Sequence, residues 1–182
     1  MEIVPVDLGV CAGYEYAGDA ARTAVVLPGA MLGGMPVNAY VIAPLVERGW
    51  RVVQVWDDYD ASVDRVEWAV SRAEAALAYA GETKLLSAKS ATTLAAGVAA
   101  DYGLPAVWLT PLFALPELTE GLRRRTAPAL VVGGTADPSW DGAAARELAD
   151  EVLELHDADH GLAKIEHLPA IVAAVGRFAD AA

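Results

Sequence analysis

Three side chains in this sequence, Ser90, Asp137 and His160, are of the types that together activate a nucleophile. A serine hydroxyl is a weak nucleophile until a base removes its proton. An imidazole base in turn needs an anion that fixes its tautomer and stabilises its positive charge. The three residues occur in the order serine, aspartate, histidine, and each lies in a loop after a predicted strand. This set predicts nucleophilic catalysis by the serine.

Ser90 stands at a predicted turn between a strand and a helix. Small residues, Ala88 and Thr92, flank it two positions away on either side. Such residues let the backbone bend sharply and hold the hydroxyl clear of the sheet. The start of the following helix presents free amides that suit a developing oxyanion. A serine at this position is also typical of a helix N-cap, so its catalytic interpretation depends on the other two residues.

Two aspartates are candidates for the acid that orients the base. Asp137 and Asp141 both follow the predicted strand 129–133. Asp137 is favoured because it lies nearer the strand end, although it also suits the role of a cap for the helix after Pro138.

Three histidines are candidates for the base. His167 has helical spacing and is most simply a surface or helix-start residue, whereas His156 directly follows a predicted strand. His160 is favoured because Gly161 behind it gives the loop the conformational freedom to point the ring inward.

These loops require a scaffold that brings their residues together. Short β-branched runs alternate with longer alanine-rich segments, which is typical of an α/β fold with helices on both faces of a mostly parallel sheet. The predicted strands are residues 23–27, 51–56, 84–87, 106–109, 129–133 and 151–155. The predicted helices are residues 38–47, 62–79, 90–102, 116–124, 142–149 and 163–179. One or two peripheral strands are expected before residue 20. The carboxyl ends of parallel strands share one edge, so the three side chains are expected there.

Length and composition limit the class of protein. The 182 residues predict a single domain over residues 1–182. The net charge of -12 argues against binding to nucleic acid or to an acidic membrane surface, and the basic cluster 123–125 is too short to offset it.

The N-terminus lacks a signal-peptide pattern, and the lone Cys11 forms no intramolecular disulfide. A cytoplasmic location is therefore expected.

Residues 24–46 contain no charged side chain and are long enough to span a bilayer. However, helix-interrupting residues occur throughout, at Pro28, Gly29, Gly33, Gly34, Pro36, Asn38 and Pro44. This pattern predicts a strand, a tight loop and a helix, and no membrane span.

The chain resembles the α/β-hydrolase superfamily, in particular its compact bacterial members without a cap domain. The resemblance extends from about residue 23 to the C-terminus and rests on residues 27–30, 88–92, 132–137 and 159–161. It implies a three-layer α/β fold without a cap domain.

The resemblance also implies roles for individual residues. Ser90 would be the nucleophile, His160 the general base and then acid, and Asp137 the acid that orients His160. The backbone amides of Ala30 and Ala91 would form the oxyanion hole. Met31 is a possible substitute for Ala30.

The leading hypothesis is a serine hydrolase that cleaves an ester, thioester or related acyl bond of a small molecule through an acyl-Ser90 intermediate. It requires no metal or cofactor. Residues 110–126 are too few for a large cap, so small or exposed substrates are expected. The sequence carries no signal for the oligomeric state.

The alternative hypothesis is a catalytically weak or silent protein of the same fold that binds a small ligand or a protein partner. It arises because Thr92 replaces the second glycine of the usual Gly-x-Ser-x-Gly elbow, so a branched side chain stands where strand and helix must approach closely, and a change in the elbow there would misplace Ser90.

Other residues near the predicted site have simpler interpretations. Lys89 is predicted to be a solvated or ion-paired neighbour of the elbow. Residues 57–60 are acidic and aromatic, and they predict a solvated rim rather than a metal site, because hard cations need oxygens from more than one loop. Trp140 and residues 112–113 are predicted either to line a small apolar pocket or to belong to the core.

Overall fold

An eight-stranded sheet is the centre of the molecule. The computed structural model describes residues 2–31 and 37–182. The strands are β1 Ile3–Asp7, β2 Ala12–Tyr16, β3 Asp19–Val26, β4 Trp50–Trp56, β5 Leu85–Lys89, β6 Ala106–Leu109, β7 Ala129–Gly134 and β8 Glu151–Leu155. Their order across the sheet is β1-β2-β4-β3-β5-β6-β7-β8. The strands from β3 onward pair in parallel, whereas β1 and β2 form an antiparallel edge.

Helices cover both faces of the sheet. They are α1 Val37–Glu47, α2 Arg65–Ala80, α3 Ala96–Asp101, α4 Pro116–Arg124, α5 Gly142–Leu148 and α6 Leu168–Ala181, with 3-10 helices at Ser90–Ala95 and Ile165–His167. One face packs against α1 and α6, and the other packs against α2, α3, α4 and α5. The predicted three-layer α/β architecture is therefore confirmed.

The six predicted central strands and six helical segments are all present; β6, β8 and α4 have the predicted ends, and the ends of the others are shifted. The helix predicted from residue 62 begins at Arg65, because the Asp64 carboxylate accepts from the amides of Val66 and Glu67 and caps it there. The helix predicted over 90–102 divides into a 3-10 helix and α3. In its first turn the Thr93 hydroxyl donates to the Ser90 carbonyl three residues back, which favours the tighter winding.

The uncharged segment 24–46 begins in β3 and ends in α1, as predicted. Three of its interrupting residues, Gly33, Gly34 and Pro36, lie outside the described residues. Within residues 2–31 and 37–182, no helix has the length and apolar character needed to cross a membrane.

Small side chains allow the helices to approach the sheet and each other closely. The buried core is rich in alanine, valine and leucine, as the low aromatic content requires. One close helix contact is at Gly121 of α4, where an added Cβ would lie 2.6 Å from the backbone of Ala96 and Gly97. This packing holds the helical segment after β5 firmly in place, and that segment begins at Ser90.

Candidate active site

Ser90 lies at a sharp turn between β5 and the 3-10 helix Ser90–Ala95. Its φ of +52° falls in the left-handed region, which a residue with a side chain adopts only at a cost in conformational energy. Such strain persists where the surrounding structure enforces it, and it is concentrated at functional sites. The turn places the Ser90 hydroxyl at the carboxyl edge of the sheet.

Thr92 is one of the groups that enforce this turn. Its side chain is completely buried. The Thr92 hydroxyl donates to the carbonyl of Pro28 at 2.6 Å and accepts from the amide of Lys89 at 3.1 Å. Thr92 therefore ties the turn to the loop after β3. The branched side chain of Thr92 is thus accommodated at this close approach, and its hydroxyl is hydrogen-bonded to both neighbouring segments.

His160 links Ser90 to Asp137. Its Nε2 atom is 2.7 Å from the Ser90 hydroxyl, and its Nδ1 atom is 2.8 Å from a carboxylate oxygen of Asp137. The Asp137 side chain is 1% exposed and that of His160 is 37% exposed. An imidazole that donates its Nδ1 proton to a carboxylate leaves Nε2 free to accept a proton from a hydroxyl. The three side chains thus form one hydrogen-bonded chain from solvent to the interior.

Backbone contacts hold the Asp137 loop against the His160 loop. The amide of Ala136 donates to the carbonyl of Ala158, and the amide of Asp157 donates to the hydroxyl of Thr135. Gly134 allows this approach, because a Cβ on Gly134 would collide with the carbonyl oxygen of Ala158. The two loops therefore act as one support for the imidazole.

The competing candidates for the acid and the base lie elsewhere. Asp141 caps α5, where its carboxylate accepts from the amides of Ala143 and Ala144. His156 is exposed and contacts Asp157 at 3.3 Å. His167 ends the short 3-10 helix before α6, as its helical spacing indicated. These contacts of Asp141, His156 and His167 do not involve Ser90.

The amides proposed for oxyanion binding belong to two loops beside Ser90. Ala91 is the second residue of its 3-10 helix, a position where a helix leaves amides without internal partners. The loop after β3 passes close by, since a Cβ on Gly29 would lie 3.9 Å from that of Ser90. The Ala30 carbonyl accepts from the amide of Tyr59 at 3.0 Å. This bond fixes the peptide plane between Ala30 and Met31, which contains the amide of Met31, the possible substitute for Ala30.

Two residues of β5 differ from expectation. The strand continues to Lys89, so Ser87 lies inside it and does not end it. Lys89 was expected to be solvated or ion-paired, but this is wrong: it is 8% exposed and its ammonium donates to the carbonyl of His160. The strand extends because Lys89 still pairs with β6, beside Leu109.

The acidic loop 57–60 is partly exposed and partly hydrogen-bonded to α2. Asp57 accepts from Arg72 at 2.8 Å and from the Trp68 indole at 3.2 Å, whereas Asp58 and Asp60 are exposed. The part of the chain that the structure describes contains no cluster of three or more histidine, cysteine or acidic side chains arranged to hold a metal ion.

The aromatic residues near the acid loop pack into the protein. The Trp140 ring lies directly against Gly133, its centroid is 6.1 Å from that of Phe113 in an edge-to-face arrangement, and its indole donates to Glu154. Phe113 is 8% exposed. Phe113 therefore belongs to the core, with Trp140 packed against it.

Cys11 is not part of the hydrogen-bonded chain of Ser90, His160 and Asp137. It lies in the N-terminal hairpin, next to Leu8, whose amide donates to the Cys11 carbonyl. Burial and the nearby Asp57 carboxylate raise the pKa of its thiol to about 11, so it stays protonated at neutral pH. A protonated thiol is a poor nucleophile.

Solved structures with similar folds include several hydrolases. Est1E from Butyrivibrio proteoclasticus aligns over 98% of this chain and 97% of its own, with a TM-score of 0.76 and 14% identity. A dienelactone hydrolase from Anabaena variabilis aligns over 97% and 95%, with a TM-score of 0.73 and 17% identity. An alpha-beta serine hydrolase homologue from Coxiella burnetii aligns over 97% and 96%, with a TM-score of 0.70 and 16% identity.

The chain therefore has the α/β-hydrolase fold, in a compact form, and the resemblance seen in the sequence is confirmed at the level of fold. No protein-family profile and no curated protein matches it in sequence.

Sequence reasoning missed several contacts at the site, and two of them differ in whether a local signal exists. The bond from Tyr59 to Ala30 joins loops far apart in the chain, and nothing local predicts it. The bond from the Lys89 amide to the Thr92 hydroxyl follows the spacing of a capping box, in which a side chain at the third helical position accepts from the cap residue. That spacing is the signal that could have indicated a structural use for Thr92.

Replacement of Thr92 by valine tests its structural contribution. Thr92→Val keeps the shape of the side chain but leaves the buried Pro28 carbonyl without this donor. We expect the free energy of unfolding, measured by urea denaturation, to fall by about 1–3 kcal/mol. The matched control is Thr83→Val, whose exposed hydroxyl donates to Gly81 and whose loss should change stability by less than about 0.5 kcal/mol. Equal stabilities of the two variants would contradict the assignment.

Proposed function

We propose that this protein is a serine hydrolase that cleaves an ester, thioester or related acyl bond of a small molecule. The observation that carries the proposal is the position of His160, within hydrogen-bond distance of both the Ser90 hydroxyl and the buried Asp137 carboxylate. The strained φ of Ser90 and the fold shared with known hydrolases support it. A nucleophile, a base and an acid that orients the base are the roles this geometry can fill.

In the first half of the reaction the acyl group moves to the enzyme. The Ser90 oxygen bonds to the substrate carbonyl carbon while its proton passes to Nε2 of His160. The carbonyl oxygen takes up the electron pair and becomes an oxyanion, which the amides of Ala30 and Ala91 stabilise. The bond to the leaving oxygen or sulfur then breaks, and the leaving group takes the proton from His160.

In the second half water releases the acyl group. His160 removes a proton from water, and the resulting hydroxide attacks the carbonyl carbon of acyl-Ser90. The bond to the serine oxygen breaks, and Ser90 recovers its proton from His160. Asp137 remains a carboxylate throughout and stabilises the imidazolium that forms in each half. The products are a carboxylic acid and an alcohol or thiol.

The alternative, a silent protein of the same fold that binds a ligand or partner, has less support. It relied on displacement of Ser90 by Thr92, whereas the Thr92 hydroxyl holds the turn in place.

A fluorophosphonate probe tests the nucleophile. The probe reacts with an activated serine: the bond from the serine oxygen to phosphorus forms, the bond to fluorine breaks, and fluoride leaves. We expect wild-type protein to be labelled once per chain and Ser90→Ala to be unlabelled. The matched control is Ser87→Ala, which removes a buried hydroxyl three residues earlier, inside β5, and should label like wild type. No labelling of the wild type, or full labelling of Ser90→Ala, would refute the proposal.

The same probe distinguishes which of the two histidines in the loop after β8, His156 or His160, is the base. His160→Gln should slow labelling by about 10²–10⁴-fold, because the base that removes the serine proton is lost. His156→Gln changes an exposed histidine four residues earlier and should leave the rate unchanged. A larger effect at His156 than at His160 would show that the base is wrongly assigned.

Acyl-chain preference tests the proposed substrate class. The connection from β6 to β7 contains α4 and has no room for a large cap, and the His160 side chain is partly exposed. We therefore expect kcat/KM to be higher for p-nitrophenyl acetate and butyrate than for the palmitate ester. Ser90→Ala measured on the same esters gives the background. A clear preference for the long chain would contradict this substrate class.

A further inference from the structure

Lys89 is an unusual residue in the interior of the candidate site. It is the last residue of β5 and directly precedes Ser90. The whole residue is only 8% exposed to solvent, and every other residue of β5 is also buried. A lysine of this kind is rare, because charged side chains are almost never fully buried without a partner.

The Lys89 side chain contacts two of the loops that meet at Ser90. Its ammonium donates to the backbone carbonyl of His160 at 3.1 Å. On its other side it lies against the loop after β3, since a Cβ on Gly29 would be 3.9 Å from Nζ. The side chain is thus placed to hold the histidine loop, residues 156–164, relative to the turn at Ser90.

This arrangement has an energetic cost. Among residues 2–31 and 37–182, no carboxylate lies within ion-pair distance of the Lys89 ammonium. Burial lowers the pKa of Lys89, although the carboxylates of Asp137 and Asp159 act in the opposite direction. A buried charge without a close counter-ion is often less favourable than an apolar side chain of similar size. Stability alone therefore does not explain this lysine.

The histidine loop needs such a support. Between β8 and the next 3-10 helix, residues 156–164 form no regular secondary structure. Asp157 and Leu162 in this loop have positive φ angles of 55° and 53°. The loop must nevertheless hold Nε2 of His160 at 2.7 Å from Ser90. Contacts with the Asp137 loop fix one side of it, and the bond from Lys89 fixes the backbone of His160 itself.

We propose that Lys89 is a positioning residue, which holds the His160 backbone through the bond from its ammonium to the His160 carbonyl and so keeps the imidazole within reach of Ser90. This inference rests on the proposed function as a serine hydrolase. Lys89 does not touch the reacting atoms in this role. Its loss leaves all three proposed catalytic side chains in the chain but loosens the placement of the base.

The test is the reaction of Lys89→Met with a fluorophosphonate probe, followed over time. Methionine has a similar length and no charge, so it fills the space without the hydrogen bond. We expect the rate constant for labelling to fall by about 10–100-fold, the effect of a base misplaced by about 1 Å. The final extent of labelling should still reach one per chain, and the melting temperature should equal or exceed that of the wild type.

The rate and the extent of labelling separate positioning from folding. A misplaced base slows every molecule, whereas a folding defect lowers the fraction of molecules that react. Lys84→Met is the matched control, because Lys84 is exposed just before β5; it should label at the wild-type rate. Lys89→Leu provides a second apolar replacement and is expected to behave like Lys89→Met.

The outcomes are distinct. Slow but complete labelling of Lys89→Met and Lys89→Leu supports the positioning role. Labelling at the wild-type rate overturns it while the proposed function stands. Incomplete labelling with a lowered melting temperature also overturns it and assigns Lys89 to structural support alone. A wild-type protein that does not react overturns the proposed function and this inference with it.

Discussion

The site depends on one constraint: a single imidazole must contact a hydroxyl and a carboxylate that come from different strands. His160 meets Ser90 at 2.7 Å and Asp137 at 2.8 Å, and such distances tolerate little movement. The parallel sheet satisfies the constraint because β5, β7 and β8 all end at the same edge. The close contact of Gly134 with Ala158 then joins the acid and histidine loops into one support.

The turn at Ser90 shows how a strained backbone is maintained without the usual glycine. A positive φ at a serine requires compensating contacts. Here the Thr92 hydroxyl bonds to Pro28 and to Lys89, so the residue that departs from the usual elbow also joins the turn to the neighbouring loop.

Polar groups in the interior of β5 contrast with the rest of the core. Ser87 is buried and its hydroxyl has no hydrogen-bond partner among the described residues, and Lys89 is buried beside the site. Both reduce the stability that a purely apolar strand would provide. The proposed role of Lys89 accounts for one of them. Nothing in the structure explains the hydroxyl of Ser87.

The sequence by itself determined the α/β class, the order of the elements and the three side chains that meet at the site. These features follow from local periodicity, from turn residues and from the rule that loops at strand ends share an edge. Only the tertiary structure decided that Asp141 caps a helix, that His156 faces solvent and that Lys89 is buried against His160. Local patterns cannot decide such questions, because burial and long-range hydrogen bonds depend on how distant loops pack together.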